Sequence, residues 1–190
     1  MPVIIFIEGN IAVGKSTFLK TVSQIKKIHD REVTIQCIFE PLNMWQELVD
    51  SDGKNILDRF YQDMNKYAYA FQSYAFLTRV KMLDDINPSA DYVFIERSVH
   101  SDHQVFAKNC LEQGIMSEIE WKLYQDWFSW MIPKVNSEKH GENIGTIIME
   151  PQRGVPPKDD FLKKIRDFAS QKNIVLVFDE VTSAFHNNLG

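Results

Sequence analysis

Cysteine is scarce in this chain of 190 residues, which contains only Cys37 and Cys110. Two thiols so far apart in sequence give neither a disulfide framework nor the paired spacing of a zinc site. We therefore expect both cysteines to be reduced, as in a cytosol-like compartment, and to act as small buried hydrophobic side chains.

Two further features are missing: a run dense in lysine and arginine, and a long apolar stretch. The net charge of −5 argues against a surface that binds duplex nucleic acid, although single nucleotides remain possible ligands. No stretch approaches the about 18 apolar residues of a membrane span, and we expect no export leader. The sequence thus predicts a cytoplasmic protein without a membrane partner; a mitochondrial location stays open as the alternative.

An octapeptide near the amino end, Gly-Asn-Ile-Ala-Val-Gly-Lys-Ser at residues 9–16, is the most informative motif. It fits the pattern G-x-x-x-x-G-K-[ST] and follows the apolar run at residues 3–7, as a phosphate-binding loop between a strand and a helix requires. Both glycines allow backbone N–H groups to turn inward, Lys15 can reach the outer phosphates, and Ser16 is placed for Mg²⁺. We predict that a nucleoside triphosphate binds here; the alternative is an ordinary glycine-rich turn.

Five short apolar runs predict the strands of a parallel sheet. They lie at residues 3–7, 34–39, 92–95, 146–149 and 174–178. Runs without polar alternation are typical of strands buried on both faces, and the long helical intervals between them are typical of crossover connections. The sequence therefore predicts an α/β protein of the P-loop type, with three layers and a parallel sheet of five strands.

A carboxylate follows each of these runs within one residue. The acids are Glu8, Glu40, Glu96, Glu150 and Asp179. Ligands of open parallel sheets gather at the carboxyl ends of the strands, so these acids lie where chemistry is expected. Any one of them can instead mark only the point at which a buried strand reaches solvent.

Residues 55–84 are rich in aromatic side chains and contain no glycine or proline, which predicts one or two helices. On an unbroken helix Tyr61, Gln72 and Arg79 fall within about 20° of one another. Such a stripe combines an aromatic ring, an amide and a guanidinium, which suit recognition of a nucleobase. The alternative is that the aromatic side chains form the core and the polar ones face water.

His100 and His103 are separated by a helical i,i+3 step, which two metal ligands could share. Paired histidines without a third ligand are more often surface residues. We therefore expect both to lie at the surface and assign them no role.

Five motifs in the same order resemble the deoxynucleoside kinases, especially the deoxycytidine and deoxyguanosine kinase branch. They lie at residues 8–17, 40–45, 71–74, 96–102 and 120–127, and include Glu-Pro-Leu-Asn-Met-Trp, Phe-Gln-Ser-Tyr and Glu-Arg-Ser-Val-His-Ser-Asp. The resemblance covers about residues 1–132. It implies a kinase-like domain over that range, with ATP and Mg²⁺ as cofactors.

The resemblance also implies roles for individual residues. Glu40 matches the general base for the 5′-hydroxyl, Arg97 matches an arginine at the reacting centre, and Lys15 neutralises phosphate charge. The residues expected to bind ATP are Gly9, Asn10, Ile11, Ala12, Val13, Gly14, Lys15, Ser16 and Thr17. Those expected to bind the nucleoside are Glu40, Trp45, Tyr61, Phe71, Gln72, Arg79, Glu96, Asp102 and Phe106. Those expected to hold Mg²⁺ are Ser16 and Glu96.

Within the nucleoside set, the resemblance assigns Tyr61 and Glu96 to the sugar 3′-hydroxyl and Gln72 to the base. Arg79 and Asp102 match a pair that favours cytosine and purines over thymine. A charge pair presents donors and acceptors to a base edge in fixed positions. The alternative for this pair is a structural salt bridge.

Past about residue 133 the resemblance stops, and the arginine-rich lid of the family, R-x-R-x-x-E, does not occur in the sequence. Residues 140–190 instead resemble an internal piece of the class III, pyridoxal-phosphate-dependent aminotransferases, in which Asp179 matches the aspartate that pairs with the pyridine nitrogen. The Schiff-base lysine of that family lies beyond this segment, so we expect no transamination and no bound pyridoxal phosphate. We expect residues 133–190 to form a strand-helix-strand segment whose strands complete the kinase sheet.

The sequence as a whole favours a deoxynucleoside kinase that transfers the γ-phosphate of ATP to the 5′-hydroxyl of deoxycytidine or a purine deoxynucleoside, impaired by the missing lid. Two alternatives stay open. One is a nucleotide-binding module without turnover, and the other is a composite or truncated reading frame that carries an inactive aminotransferase fragment. The expected partners are a deoxynucleoside and ATP, with a homodimer as one option for the assembly.

Overall fold

The structure, a computed structural model, describes residues 2–9, 12, 14–135, 146–149, 163, 167 and 175–178. The chain folds into two compact units that interleave along the sequence. Unit 1 takes residues 1–38, 87–96 and 143–190, and unit 2 takes residues 39–86 and 97–142. The chain therefore passes between the units four times.

The described residues contain seven strands, all of them in unit 1. They are β1 (Val3–Ile7), β2 (Lys27–Ile28), β3 (Arg31–Glu32), β4 (Ile35–Ile38), β5 (Tyr92–Glu96), β6 (Thr146–Met149) and β7 (Val175–Phe178). Strands β1 and β4 each pair in parallel with β5, and Tyr92 stands opposite both Val3 and Ile35. Strand β6 pairs in parallel with β7 and lies beside β1. The short strands β2 and β3 form an antiparallel hairpin.

The α/β class and the parallel sheet predicted from the sequence are confirmed. Each predicted apolar run contains a strand, and no boundary differs by more than one residue. The strands divide into a three-stranded and a two-stranded parallel sheet, where one sheet of five was expected. A ladder needs neighbouring backbones in hydrogen-bonding register at about 4.8 Å, and the described residues of β1 and β6 lie side by side without forming one.

The helices of the described residues lie mainly in unit 2. They are α1 (Lys15–Val22) in unit 1, then α2 (Leu42–Glu47), α3 (Ile56–Gln62), α4 (Met64–Met82), α5 (Val99–Ser101), α6 (Lys108–Glu112) and α7 (Glu118–Val135) in unit 2. A 3-10 turn at Leu83–Asp85 follows α4, and a π-helical stretch at Asp102–Ala107 joins α5 to α6. Within the described part of the chain, no helix has both the length and the apolar composition needed to cross a membrane.

Asp63 divides the aromatic-rich stretch into two helices. Its backbone angles, φ −148° and ψ 86°, are not helical, and its side chain accepts a hydrogen bond from the Lys66 N–H at 3.2 Å. An aspartate in this position satisfies an N–H group that the first turn of a helix leaves without a partner. The prediction of one or two helices is confirmed, with two. Tyr61, Gln72 and Arg79 therefore do not share one face of an unbroken helix, because Tyr61 belongs to α3 and the other two to α4.

Helix α4 forms the centre of unit 2. It packs against α2, α3, α7 and the π-helical stretch. A helix surrounded in this way buries side chains on several faces, and Ala68, Phe71, Ala75 and Phe76 are all at most 8% exposed. Gln72 and Arg79, the polar residues of α4 that were predicted to bind a ligand, therefore lie on a rigid, closely packed helix.

His103 lies in an aromatic stack of unit 2, which corrects the expectation of a surface position. Its ring centroid is 4.0 Å from that of Phe128 and 5.1 Å from that of Trp121, and the residue is 9% exposed. Burial lowers the pKa of His103, because a charged imidazolium would lose its hydration, and the nearby His100 and Lys108 lower it further. The sequence spacing gave no sign of this, because the aromatic partners come from α7.

The lowered pKa of His103 predicts that acidification destabilises the fold. Below about pH 6.5 the unfolded chain binds a proton on this histidine more readily than the folded chain does. The free energy of unfolding therefore decreases as the pH is lowered. We expect the drop in melting temperature between about pH 7.5 and about pH 5.5 to shrink in His103→Gln. The exposed His29, changed to Gln, serves as the control and should leave the drop unchanged. A drop of the same size in wild type and His103→Gln would contradict the prediction.

Candidate functional site

The turn that leads from β1 into α1 carries, within unit 1, the glycine and lysine spacing expected of a phosphate loop. Gly14, the residue before α1, has φ 95°, a left-handed value that glycine adopts without steric cost. The first turn of α1 contains no acidic residue, so its N–H groups and positive dipole end are available to an anion. Of the residues expected to bind ATP, Asn10, Ile11 and Val13 lie outside the described residues.

Two oxygen-bearing side chains meet in unit 1. The Ser16 hydroxyl donates to the Glu96 carboxylate, with distances of 2.9 Å to Oε1 and 3.1 Å to Oε2. Glu96 ends β5 and is 4% exposed, and the neighbouring Lys15 is 8% exposed. Mg²⁺ prefers oxygen ligands and is usually held by one or two carboxylates together with substrate phosphates. The pair therefore fits Mg²⁺ in the presence of a bound nucleotide, although the described residues hold no cluster of three or more metal-ligating side chains.

In unit 2 the buried guanidinium of Arg79 bridges two carboxylates. Its Nε lies 2.6 Å from Oδ2 of Asp102, and its Nη2 donates to Oε1 of Glu40. The side chains of Arg79 and Asp102 are each 4% exposed. A second guanidinium, that of Arg97, places its Nε 3.6 Å from the same Glu40 oxygen. Two arginines and two acids thus form one connected network with Glu40 between the two cations.

Three elements of unit 2 position this network. Arg79 lies near the end of α4, Glu40 precedes α2, and Asp102 begins the π-helical stretch. Ser98 starts this helical region by accepting a hydrogen bond from the Ser101 N–H at 3.1 Å. A π-helical turn is rare and is found frequently at functional sites. The stretch therefore marks this end of unit 2 as a candidate site independently of the charges.

Burial dominates the protonation chemistry of Asp102. Loss of hydration raises the pKa of Asp102 to about 6, and the negative charge of Glu40 adds to the rise. The ion pair with Arg79 lowers the pKa of Asp102 but does not cancel the effect of burial. Burial likewise raises the pKa of Tyr124, with a smaller contribution from Asp102. Asp102 is therefore a carboxyl group whose charge changes close to neutral pH.

Aromatic rings pack beside the charged network. Trp45 is 4% exposed, donates from Nε1 to the Thr78 hydroxyl at 3.0 Å, and meets Phe71 edge to face at 5.2 Å. Phe60 stacks on Phe71 at 4.8 Å, and the Arg79 guanidinium lies 5.5 Å from the Trp45 ring centroid. Two of the aromatic residues expected to bind the nucleoside, Trp45 and Phe71, are thus in contact, and Trp45 lies beside Arg79.

Arg97 has an unusual backbone and an aromatic partner. Its φ of 69° is a left-handed value that few residues other than glycine adopt, and such values concentrate at functional sites. Its guanidinium lies 4.6 Å from the ring centroid of Phe106, which is close enough for a cation–π interaction. The pair of contacts, with Glu40 and with Phe106, holds the Arg97 side chain at the network.

Two of the predicted nucleoside residues differ in their placement. Gln72 is 3% exposed on α4, and its amide nitrogen lies 3.9 Å from Sγ of Cys110. Tyr61 is 61% exposed, and its ring lies 5.4 Å from that of Phe60. The break at Asp63 explains this difference, because Tyr61 does not follow the face of α4 that carries Gln72.

Sequence reasoning missed Thr78, Phe60 and the polar role of Cys110. The Thr78 hydroxyl bonds the backbone carbonyls of Tyr74 and Ala75, both at 2.9 Å, and also accepts from Trp45. A threonine inside a helix often donates a hydrogen bond to a carbonyl of the preceding turn, so this role of Thr78 could have been predicted from the sequence. The partners of Phe60 and Cys110 depend on tertiary packing. Asp179, the residue matched to a pyridoxal-phosphate partner, lies outside the described residues.

A parallel sheet whose first strand leads through a glycine turn into a helix is the architecture of nucleotide-binding α/β proteins. The sequence model of the deoxynucleoside kinase family matches residues 5–142. The chain belongs to the deoxynucleoside kinase family.

Individual relatives carry the names of two kinases. The chain is 36% identical over 167 residues to deoxycytidine kinase 2 of Gallus gallus. This alignment covers 78% of the present chain and 61% of the relative. It is 39% identical over 145 residues to the deoxycytidine kinase of Rattus norvegicus, with coverage of 67% and 54%. It thus spans only about half to three fifths of the length of these relatives.

The mitochondrial deoxyguanosine kinase of Xenopus laevis is 28% identical over 226 aligned residues, which cover 96% of this chain and 82% of that protein. This alignment is longer than the 190 residues of the chain, so gaps are placed in the sequence of this chain. The resemblance of residues 140–190 to aminotransferases stays a prediction.

The Arg79 network predicts a large difference between two arginine substitutions. Arg79→Leu leaves the buried Asp102 without its paired cation and Glu40 with Arg97 alone, and we expect the free energy of unfolding to fall by about 3 kcal/mol or more. The control, Arg31→Leu, removes a pair with Asp91 in which the arginine side chain is 76% exposed, and should cost less than about 1 kcal/mol. Urea denaturation measures both values. Equal losses in the two variants would contradict the structural importance of the network.

Proposed function

We propose that this chain is a deoxynucleoside kinase that transfers the γ-phosphoryl group of ATP to the 5′-hydroxyl of a deoxynucleoside. The observation that supports this most is the Glu40 carboxylate held between the guanidinium groups of Arg79 and Arg97. Phosphoryl transfer needs a base beside the attacking hydroxyl and cations near the moving group, and this arrangement supplies both kinds of group in unit 2. Membership of the deoxynucleoside kinase family supports the same reaction.

The nucleoside half of the proposed reaction uses unit 2. Glu40 accepts the proton of the 5′-hydroxyl, and Arg97 supplies positive charge beside it. Trp45 and Phe71 offer aromatic surfaces against which a base can pack, and their edge-to-face contact keeps them in place. Gln72 contributes an amide that can pair with a base edge.

The phosphate half of the proposed reaction uses unit 1. The glycine turn and the first turn of α1 present N–H groups to the ATP phosphates, and Lys15 neutralises their charge. Ser16 and Glu96 would hold Mg²⁺, which when bound offsets charge on the phosphate oxygens. The contact between the Ser16 hydroxyl and the Glu96 carboxylate favours a metal-binding role for Glu96 over its alternative role at the sugar 3′-hydroxyl.

Deoxycytidine or a purine deoxynucleoside is the proposed substrate. The Arg79 and Asp102 pair presents a donor and an acceptor in a fixed arrangement, and relatives of the chain are named for deoxycytidine and deoxyguanosine. After residue 133 the sequence has arginine only at 153 and 166, in place of the lid pattern of the family. Since an arginine at the transferring phosphoryl group can contribute about 10³ or more in rate, we propose that turnover is slow.

Replacement of the proposed base tests the function. In Glu40→Gln the carbonyl oxygen remains but the proton acceptor is lost, so we expect turnover to fall by about 10² or more while the nucleoside dissociation constant changes little. Glu47→Gln alters an exposed acid at the end of α2, the helix that Glu40 precedes, and serves as the control. Steady-state kinetics and calorimetry measure the two quantities. Unchanged turnover in Glu40→Gln would remove Glu40 as the base.

We also propose that the protein forms a homodimer through one face of α7. Four large apolar side chains at helical spacing are exposed on this face: Ile119 (72%), Leu123 (46%), Trp127 (55%) and Trp130 (56%). Clustered tryptophans of this kind are typical of the centre of a protein interface. A second copy is the proposed occupant because Lys122 and Asp126, at an i,i+4 spacing beside the face, can pair with each other across two antiparallel α7 helices.

The proposed interface is tested by a charge placed at its centre. Trp127→Glu introduces a carboxylate that a dimer would have to bury, so we expect sedimentation to give a dimer for the wild-type protein and a monomer for the variant. The control Gln46→Glu adds the same charge at an exposed position of α2. A wild-type protein that sediments as a monomer at micromolar concentration would rule the dimer out.

A further inference from the structure

The hydroxyl of Tyr124, on α7, is a buried polar group that the proposed reaction does not use. The residue is 1% exposed, and within the part of the chain that the structure describes its hydroxyl oxygen has no hydrogen-bond partner. Buried polar groups without a partner are costly and uncommon in folded proteins. The surroundings of this hydroxyl therefore deserve a functional explanation.

The ring of Tyr124 packs one helical turn away from the Arg79 and Asp102 pair. It belongs to one core cluster with Phe76 and Val99, and its centroid lies 5.9 Å from that of Phe76. Phe76 precedes Arg79 by three residues on α4, and Val99 precedes Asp102 by three residues. Because residues three apart lie on the same face of a helix, Tyr124 faces the two elements on the side that carries the charged pair.

Both members of the pair act on this hydroxyl electrostatically. Burial raises the pKa of Tyr124 most, the negative charge of Asp102 raises it further, and the positive charge of Arg79 lowers it. The phenol is therefore neutral near pH 7 and keeps its hydrogen. A neutral hydroxyl rotates about its C–O bond to suit its surroundings, so its hydrogen turns toward a negative charge and its lone pairs toward a positive one.

Asp102 is a carboxylate that needs such a donor. It is 2% exposed, and although its Oδ2 lies 2.6 Å from Nε of Arg79, this oxygen accepts no well-directed hydrogen bond from the described residues. Burial and the negative charge of Glu40 favour the protonated form of Asp102, whereas the guanidinium groups of Arg79 and Arg97 favour the ionised form. An O–H directed from α7 adds to the second group of effects.

We propose that Tyr124 is a positioning residue whose hydroxyl turns toward the Asp102 carboxylate and stabilises its ionised form beside Arg79. The ion pair exists only while Asp102 is ionised, so Tyr124 extends the pair toward lower pH. The consequence for nucleoside binding rests on the proposed function, because Arg79 and Asp102 are the residues expected to meet the base. Tyr124 exerts this effect through Asp102.

Tyr124→Phe removes the hydroxyl and keeps the ring that packs in the cluster. Burial raises the pKa of Asp102 to about 6 in the wild-type protein. We expect this midpoint to rise by about half a pH unit in the variant, a roughly threefold change in the ionisation equilibrium. The NMR shift of the Asp102 carboxyl carbon measures it without interference from the neighbouring His103. Tyr69→Phe is the matched control, because Tyr69 packs against the same cluster but is only partly buried.

Urea denaturation supplies a second measurement. The interaction is present above the midpoint of Asp102 and is lost as the carboxyl group takes up a proton, so Tyr124→Phe should destabilise the protein more at about pH 8 than at about pH 5. Removal of a hydroxyl that interacts with nothing is instead neutral or stabilising at both values. That result would overturn the inference, as would an unchanged Asp102 midpoint or an equal rise in Tyr69→Phe.

Both measurements use the protein without nucleoside, so they separate this inference from the proposed function. A protein that phosphorylates no deoxynucleoside would contradict the function and leave the Asp102 titration to decide the inference. In an active protein, the acid limb of kcat/KM for deoxycytidine should move to higher pH in Tyr124→Phe by the same amount as the midpoint. A limb that stays in place would overturn the role of Tyr124 at the nucleoside site.

Discussion

A buried positive charge organises unit 2. The Arg79 guanidinium is buried, and the carboxylates of Glu40 and Asp102 offset the loss of its hydration. Asp102 and Glu40 in turn share the Arg79 cation, and Glu40 also lies beside Arg97. This mutual dependence holds together the segment before α2, the end of α4 and the start of the π-helical stretch. The aromatic contact between Arg79 and Trp45 extends the constraint to the neighbouring rings.

The same constraint prepares the groups that the proposed reaction needs. A carboxylate pinned between two guanidinium groups has little freedom, so Glu40 meets an incoming hydroxyl without first being ordered. Arg97 adopts a strained backbone angle that its contacts with Glu40 and Phe106 offset. Rigid placement of this kind is how phosphoryl transfer is catalysed, because the protein contributes position and charge more than covalent chemistry.

Sequence patterns predicted the features that depend on local chemistry. The strands were predicted because parallel strands buried on both faces need uninterrupted apolar runs. The phosphate loop was predicted because its glycines and lysine have a fixed spacing. The break between α3 and α4 was also readable in principle, since Asp63 is a typical first residue of a helix. Three features could not be predicted from the sequence, because each depends on contacts between segments that are distant in the chain. They are the burial of His103, the contact of Gln72 with the Cys110 thiol, and the sharing of Arg79 by two acids. The pairing of Arg79 with Asp102 was expected from family resemblance, not from spacing.

The central claim is that this chain couples ATP to a deoxynucleoside, and the release of ADP tests it most directly. Purified protein would be assayed with ATP and Mg²⁺, alone and with each of the four deoxynucleosides in turn. The account predicts ADP release that depends on the nucleoside, equals the nucleoside monophosphate formed, and is fastest with deoxycytidine or a purine deoxynucleoside. ADP release that no deoxynucleoside stimulates, from protein that is folded and binds ATP, would contradict it.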